Sequence, residues 1–323
     1  MRELAFEDVL SARKAVRKDL SPTPFHEILS LSERFGCRYF LKFESMQPVG
    51  AFKVRGGINL VSRLTPEDRG RGLITASTGN HGQSIAYAAR AFGVAATIVA
   101  PEGSNPDKVA AMRALGAEVP LVGADFDEAR EWCEERARTK GHRYVHSANE
   151  PLLIAGVGTY ALEILEALPE VEVLIVPVGA GSGICGAGLV AKTINPRIHL
   201  VGVQARNAPA VYESYLAREM CSQPSAATFA DGLATRVPFE FPMGMIWKFV
   251  DEMILVSEEE MCEAIRLLVA ETRTIAEGAG AAATAAAMKM DLQGRKVAAV
   301  VSGRNLTAEN LKIILAGGVP AAH

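Results

Sequence analysis

The residues best suited to chemistry sit in loops that follow short apolar runs and open helical patterns. After LIVPV comes Gly179-Ala180-Gly181-Ser182-Gly183-Ile184-Cys185-Gly186. Side chains this small let backbone amides close on a phosphate, and Ser182 adds a hydroxyl donor. Gly181, Gly183 and Gly186 match the dinucleotide spacing, but that site needs an acid at the end of the next strand, and HLVGVQA offers Gln204. The loop therefore predicts a phosphate group and argues against a nicotinamide cofactor; a glycine turn used only for packing is the alternative. A second loop, Ser77-Thr78-Gly79-Asn80-His81-Gly82, follows GLITA and opens the pattern GQSIAYAAR. Donors crowded at a helix start suit a substrate carboxylate. Simple capping by Ser77, Thr78 or Asn80 is the plainer use. The third element is KFESMQPVGAFKVRGG, in which Lys53 stands behind Ala51 and Phe52 with no acid nearer in sequence than Glu44. A lysine amine must shed its proton to form a Schiff base, and burial or a neighbouring cation such as Arg55 favours that.

These loops need rigid elements to hold them. Short apolar runs alternate with longer amphipathic stretches, which predicts βαβ units around mainly parallel sheets. RYFLKFE, GLITAS, ATIVAP, EVPLVG, EVLIVPVG, HLVGVQA and KVAAVVSG read as strands, and GQSIAYAARAFG, NPDKVAAMRALG and DFDEAREWCEERARTKG as helices. The last shows Phe126, Ala129, Trp132 and Cys133 at helical spacing. The uncharged run Val173 to Ala191 is long enough for a membrane span, but Pro177 and five glycines make it strand, loop and helix start. EGAGAAATAAAM reads as a helix packed closely through small residues. The fold class expected is α/β, with two open, twisted, mainly parallel sheet domains carrying helices on both faces. Residues 1–40 with 149–323 form a large cofactor-binding domain, and 41–148 a small one with the carboxylate loop. A ligand cleft is expected between them, where strand ends meet helix starts.

Composition narrows the function. The 323 residues are 49% hydrophobic and 22% charged, with net charge -3. That is a globular composition without the basic excess that nucleic acid or a membrane surface would require. Cys37, Cys133, Cys185, Cys221 and Cys262 stand far apart with no CxxC pair, so neither a disulfide framework nor a zinc site is expected. With a charged N-terminus lacking a signal peptide's apolar core, the chain reads as cytoplasmic.

Taken together and in order, these motifs resemble the fold type II pyridoxal-phosphate enzymes, which share the architecture of tryptophan synthase β, and within them the serine/threonine dehydratase branch. KFESMQPVGAFKVRGG, ASTGNHGQSIA, IAGVGTYALEIL, VPVGAGSGICGAG, ADGLA, EGAGA and VSGRN carry the resemblance, from about Ser21 to Asn305. It implies that Lys53 forms the Schiff base with pyridoxal 5'-phosphate, that Phe52 packs near its ring, and that Asn80 bonds its phenolic oxygen. Gly179, Ala180, Gly181, Ser182 and Gly183 would hold the phosphate, and Ser302 the pyridine nitrogen. Ser77, Thr78, Gly79, Asn80 and His81 would line the substrate carboxylate, with Thr78 as a second catalytic group and Glu277 near the cofactor. The activity implied is deamination of L-threonine and L-serine to a 2-keto acid and ammonia, by a homodimer or homotetramer.

Departures from the family pattern bear on the substrate. Thr78 stands where a second serine is common, which disfavours racemisation. Arg304 interrupts Ser-Gly-Gly-Asn, Val157 replaces a frequent glutamine, and the phosphate loop carries Ala180 and Ser182 among its glycines. Gln204 and Ala210 stand where relatives place cation-binding acids, so no metal is expected. The end at His323 leaves no room for a C-terminal regulatory domain. The alternatives are a hydroxyectoine-catabolic, threo-3-hydroxyaspartate or phenylserine lyase, an amino-acid racemase, or a non-catalytic amino-acid-binding relative.

Overall fold

The computed structural model describes residues 3–124 and 126–322. Its strands are β1 (Phe25–Glu27), β2 (Arg38–Lys42), β3 (Leu73–Ala76), β4 (Ala96–Val99), β5 (Arg143–Tyr144), β6 (Val173–Pro177), β7 (His199–Ala205), β8 (Glu252–Val256) and β9 (Lys296–Val300). They form a six-stranded sheet in the order β1-β2-β9-β6-β7-β8 and a three-stranded sheet in the order β4-β3-β5. Among the described strand pairs only the edge pair β1–β2 is antiparallel. Every residue of β3, β4 and β6 is buried, as expected when helices cover both faces of a parallel sheet.

Alternation along the strands sorts the core of the large sheet. Tyr39, Leu41, Val173, Ile175, Val297 and Ala299 face one side, beneath the helices Glu258–Thr272 and Gly278–Ala287. Phe40, Leu174, Val176, Ala298 and Val300 face the other, against the helices Pro151–Ala167 and Ser182–Ile194. The alanine-rich helix Gly278–Ala287 is buried along its whole length, as its small side chains predict. In strand order β6 lies between β9 and β7, so the chain turns one way after β6 and returns on the other side as β9. Crevices at the carboxyl ends of strands that flank such a reversal hold ligands. The glycine loop follows β6 there, and Ser302 follows β9.

Two readings of the sequence need correction. EVPLVG makes only isolated bridges beside β4, from Glu118 to Thr97 and Leu121 to Ala100. Pro120 has no N–H for a ladder, and Gly123 then turns to φ 81°, so pairing cannot extend. In the helix Phe126–Lys140, Ala129 and Cys133 are buried but Phe126, on the first turn, is exposed. The run from Val173 to Ala191 is strand, loop and helix, and among the described residues no helix is long and apolar enough to cross a membrane.

Candidate active site

Lys53 begins the helix Val54–Ser62, and Phe52 before it is tied by its backbone N–H to the Ser302 carbonyl, 3.0 Å away. The Lys53 carbonyl accepts from Ser84 Oγ at 2.6 Å, which fixes the backbone on the other side. Its ammonium nitrogen lies 3.3 Å from Ser182 Oγ and 5.0 Å above the Phe52 ring. Burial lowers its proton affinity to about 8, and Glu277 pulls the other way. Arg55 does not supply that shift as the sequence suggested. Its guanidinium is enclosed by Glu44, Thr159 and Glu163, so its charge is already answered.

The loop after β6 leads into the helix Ser182–Ile194 through Gly181 at φ 99°, with no side chain capping that terminus. The N–H groups of a helix's first turn have no intrahelical partner, and together with the helix dipole they attract an anion. Gly179 lies against backbone: a Cβ there would sit 2.1 Å from the Gly232 carbonyl oxygen. Gly183 faces the Phe52 ring, and its carbonyl accepts from Tyr160 at 2.8 Å. Ala180 is half-buried beside them. An uncapped helix start, a serine hydroxyl and a desolvated amine thus converge, a donor set that fits a phosphate-bearing aldehyde.

Ser77-Thr78-Gly79-Asn80-His81 leaves the end of β3 and starts the helix Asn80–Phe92. Ser77 Oγ accepts from the N–H groups of Gly82 at 2.9 Å and Gly79 at 3.2 Å, so it does perform the plain capping role. Thr78 and Gly79 are half-buried, and a Cβ at Gly79 would meet nothing within 4 Å, which leaves the loop's inner side open. His81 is buried, and burial with the nearby Lys53 and His146 drives its proton affinity down to about 3. Thr75 Oγ1 donates its single proton to the Val145 carbonyl at 2.7 Å. The 2.9 Å contact between Thr75 Oγ1 and His81 Nε2 must then be donated by the imidazole, which fixes the neutral Nε2–H tautomer.

Asn80 donates through Nδ2 to Glu277 Oε1 at 2.7 Å, and its Oδ1 accepts from Asn305 Nδ2 at 2.6 Å. Burial raises the proton affinity of Glu277, opposed by Lys108 and Asn80. Ser302 Oγ donates to the Ala279 carbonyl at 3.2 Å. Lys108 forms an ion pair with Asp231 of the ADGLA segment. Neither Lys108, Asp231 nor Asn305 was singled out from sequence, although Asn305 ends the VSGRN motif. A side chain's partners across the fold leave no trace in local spacing. Arg304 is exposed, and its guanidinium has no ion pair among the described residues. Gln204 Oε1 accepts from the Tyr212 N–H at 2.8 Å, and Ala210 opens a helix.

Comparison with known proteins fits this geometry. Residues 16–303 match the model of the family described as "Pyridoxal-phosphate dependent enzyme". The chain is 39% identical over 317 residues to the L-threonine ammonia-lyase of Thermotoga maritima, covering 98% of this chain and 79% of that protein. It is 38% identical over 321 residues to the catabolic L-threonine dehydratase TdcB of Staphylococcus aureus, covering 98% and 93%. Among solved structures, the processed form of threonine deaminase isoform 2 from Solanum lycopersicum superposes with TM-score 0.92 at 31% identity, over 97% of this chain and 87% of that one. Maize serine racemase gives TM-score 0.92 at 28% identity, over 96% of each. With a family match over most of its length and a half-buried lysine beside an uncapped glycine loop, the chain belongs to the fold type II pyridoxal-phosphate dependent enzymes.

Proposed function

We propose that this enzyme deaminates L-threonine, and L-serine beside it, to a 2-keto acid and ammonia by β-elimination. The observation that carries the reaction type is the half-buried Lys53 side chain, its amine desolvated and 3.3 Å from Ser182 at the start of an uncapped helix. Threonine is favoured because relatives at 39% and 38% identity bear threonine ammonia-lyase and dehydratase names.

In this reading Lys53 holds the cofactor, and the backbone of Gly179, Ala180, Gly181, Ser182 and Gly183 takes its phosphate. Phe52 would pack near the ring, Asn80 would donate to the phenolic oxygen, and Ser302, whose hydroxyl meets the Ala279 carbonyl here, would serve the pyridine nitrogen. When bound, the cofactor supplies an electron sink for the pair left when a proton leaves the substrate's α-carbon. Lys53, an amine whose proton affinity burial has brought to about 8, is the group that removes that proton. Ser77, Thr78, Gly79, Asn80 and His81 line the carboxylate, and the Thr78 hydroxyl serves as the second catalytic group. A neutral His81 adds no positive charge beside Lys53.

The same reading takes residues 1–40 and 149–323 as the large cofactor-holding domain and 41–148 as the small one. It places a homodimer or homotetramer in the cytoplasm, where the five cysteines, all free in the structure, would stay reduced. The experiment is keto-acid release from L-threonine by the cofactor-loaded protein, trapped as a hydrazone. Rapid 2-oxobutanoate formation that vanishes in Lys53→Ala is expected. A correctly loaded, yellow protein that releases none from threonine or serine would overturn the substrate and turn attention to anionic or bulkier β-hydroxy amino acids.

A further inference from the structure

The side-chain amide of Asn80 has a direction, and a residue outside its loop imposes it. Asn305 Nδ2 lies 2.9 Å from the Val49 carbonyl oxygen and 2.6 Å from Asn80 Oδ1. A main-chain carbonyl only accepts, so the Asn305 atom facing Val49 must be nitrogen. An amide nitrogen only donates, so the Asn80 atom it meets must be oxygen. The Asn80 nitrogen then sits at the other end, with one N–H given to Glu277 Oε1 at 2.7 Å and the second without an acceptor among the described residues.

Glu277 could not fix this orientation alone. Burial raises its proton affinity, and a protonated carboxyl donates as readily as it accepts. The Val49 carbonyl has no such ambiguity. Asn305 is also held in place by packing: a Cβ at Gly50 would sit 2.5 Å from its Oδ1, so the amide lies directly on that glycine. Turning it over would set its oxygen against the Val49 oxygen.

We propose that Asn305 is a positioning residue that relays the polarity of the Val49 carbonyl to Asn80, so that the site is always offered an N–H donor there and never a carbonyl oxygen. The acceptor this suits is the anionic phenolic oxygen of the cofactor, and in that respect the inference rests on the Asn80 assignment above.

The test compares cofactor dissociation constant and visible absorbance maximum for the loaded wild type, Asn80→Ala, Asn305→Ala and Asn305→Asp. Both Asn305 changes remove the donor, while Asp keeps the volume. Each is expected to weaken cofactor binding by about 5- to 10-fold, the worth of one well-aimed hydrogen bond, and to shift the absorbance in the direction that Asn80→Ala shifts it. The double variant Asn80→Ala/Asn305→Ala should bind no more weakly than Asn80→Ala alone, because both act through one contact. Asn305 variants with wild-type affinity and colour beside an impaired Asn80→Ala would overturn the inference and leave the reaction assignment standing. An Asn80→Ala protein indistinguishable from wild type would overturn the Asn80 assignment and the relay with it. If the Asn305 variants do not fold, neutron diffraction from wild-type crystals decides: amide deuterons of Asn80 facing Asn305 would refute the relay.

Discussion

At Lys53 two physical effects compete, and burial wins. Removing water from around an ammonium disfavours the charged form, while Glu277 favours it. The result is an amine that keeps its proton only up to about pH 8, against 10.5 for the free side chain. That depression has a consequence for stability in the cofactor-free protein, where the amine is unmodified. Above about pH 8 the folded chain has released the proton while the unfolded chain still holds it. The unfolded state then binds more protons, so stability rises with pH from about 8 to 10.5 and the cost is fully present below 8. Lys53→Met removes the charge at similar volume. It should therefore stabilise the cofactor-free protein at neutral pH by up to about 3 kcal/mol, and it should abolish the rise above pH 8. Urea unfolding of both proteins across pH measures this. Parallel stability curves would mean that Lys53 is hydrated in solution.

At the scale of elements, the site is made by the ends of β3, β6 and β9, and the loop after β6 tolerates least. A methyl group at Gly179 would stand 2.1 Å from the Gly232 carbonyl oxygen, which is backbone and cannot rotate away. Gly179→Ala must push the glycine loop off the ADGLA segment. Overpacking of this kind costs about 1–3 kcal/mol, and cofactor affinity should fall by more than about tenfold, because the helix start no longer faces the same point. A thermal melt and a cofactor titration check the two parts separately. A variant that loses stability but binds normally would show that the loop itself had not moved. The motifs at these strand ends were legible because each follows a buried parallel strand, whose largely apolar run is hard to mistake. Part of what was not read lacked such a run, whereas β8, apolar over Met253–Val256, lies at the sheet's edge with only two of its residues buried. β1 and β5 have three and two residues, too short for any period, and Pro120 spoils a segment whose composition is otherwise strand-like. Lys53, the glycine loop and the asparagine loop stand together as their order implied. The partners that orient them did not declare themselves: Asn305 for Asn80 and Thr75 for His81 are contacts made only in three dimensions.

Across the whole molecule, the helix that carries Lys53 is anchored to the large sheet by charge as well as by packing. Arg55 on that helix meets Glu44, just beyond β2, and Glu163 on the helix Pro151–Ala167, each at 2.7 Å. Lys42 of β2 reaches the same Glu163 at 2.5 Å and the Thr23 carbonyl at 2.8 Å. Two cations and two anions, all buried or nearly so, sum to zero charge. The exposed Lys108–Asp231 pair contributes little by comparison, since surface pairs are worth about 0–1 kcal/mol. Replacing Arg55 by Met leaves two buried carboxylates with only Lys42 to answer them. Breaking one partner out of a buried pair costs about 3–5 kcal/mol, and Arg55→Lys should lose part of this, because a single ammonium cannot fork between Glu44 and Glu163. The cluster also predicts an acid response. Burial pushes the Glu163 carboxyl up, but Arg55 and Lys42 outweigh it and hold the group below the ordinary 4.5. A carboxylate depressed on folding gives stability that is present above its unfolded value and lost as pH falls through its folded one. Without Arg55 that advantage shrinks or reverses, so Arg55→Met should unfold at a higher pH than wild type in an acid titration followed by far-UV circular dichroism. Glu163→Gln in the same background should restore part of the difference, by removing the charge that Arg55 no longer balances. An unchanged acid midpoint in Arg55→Met would mean that water, not Arg55, solvates Glu163, and the Lys53 helix would then depend on apolar packing alone for its place over the sheet.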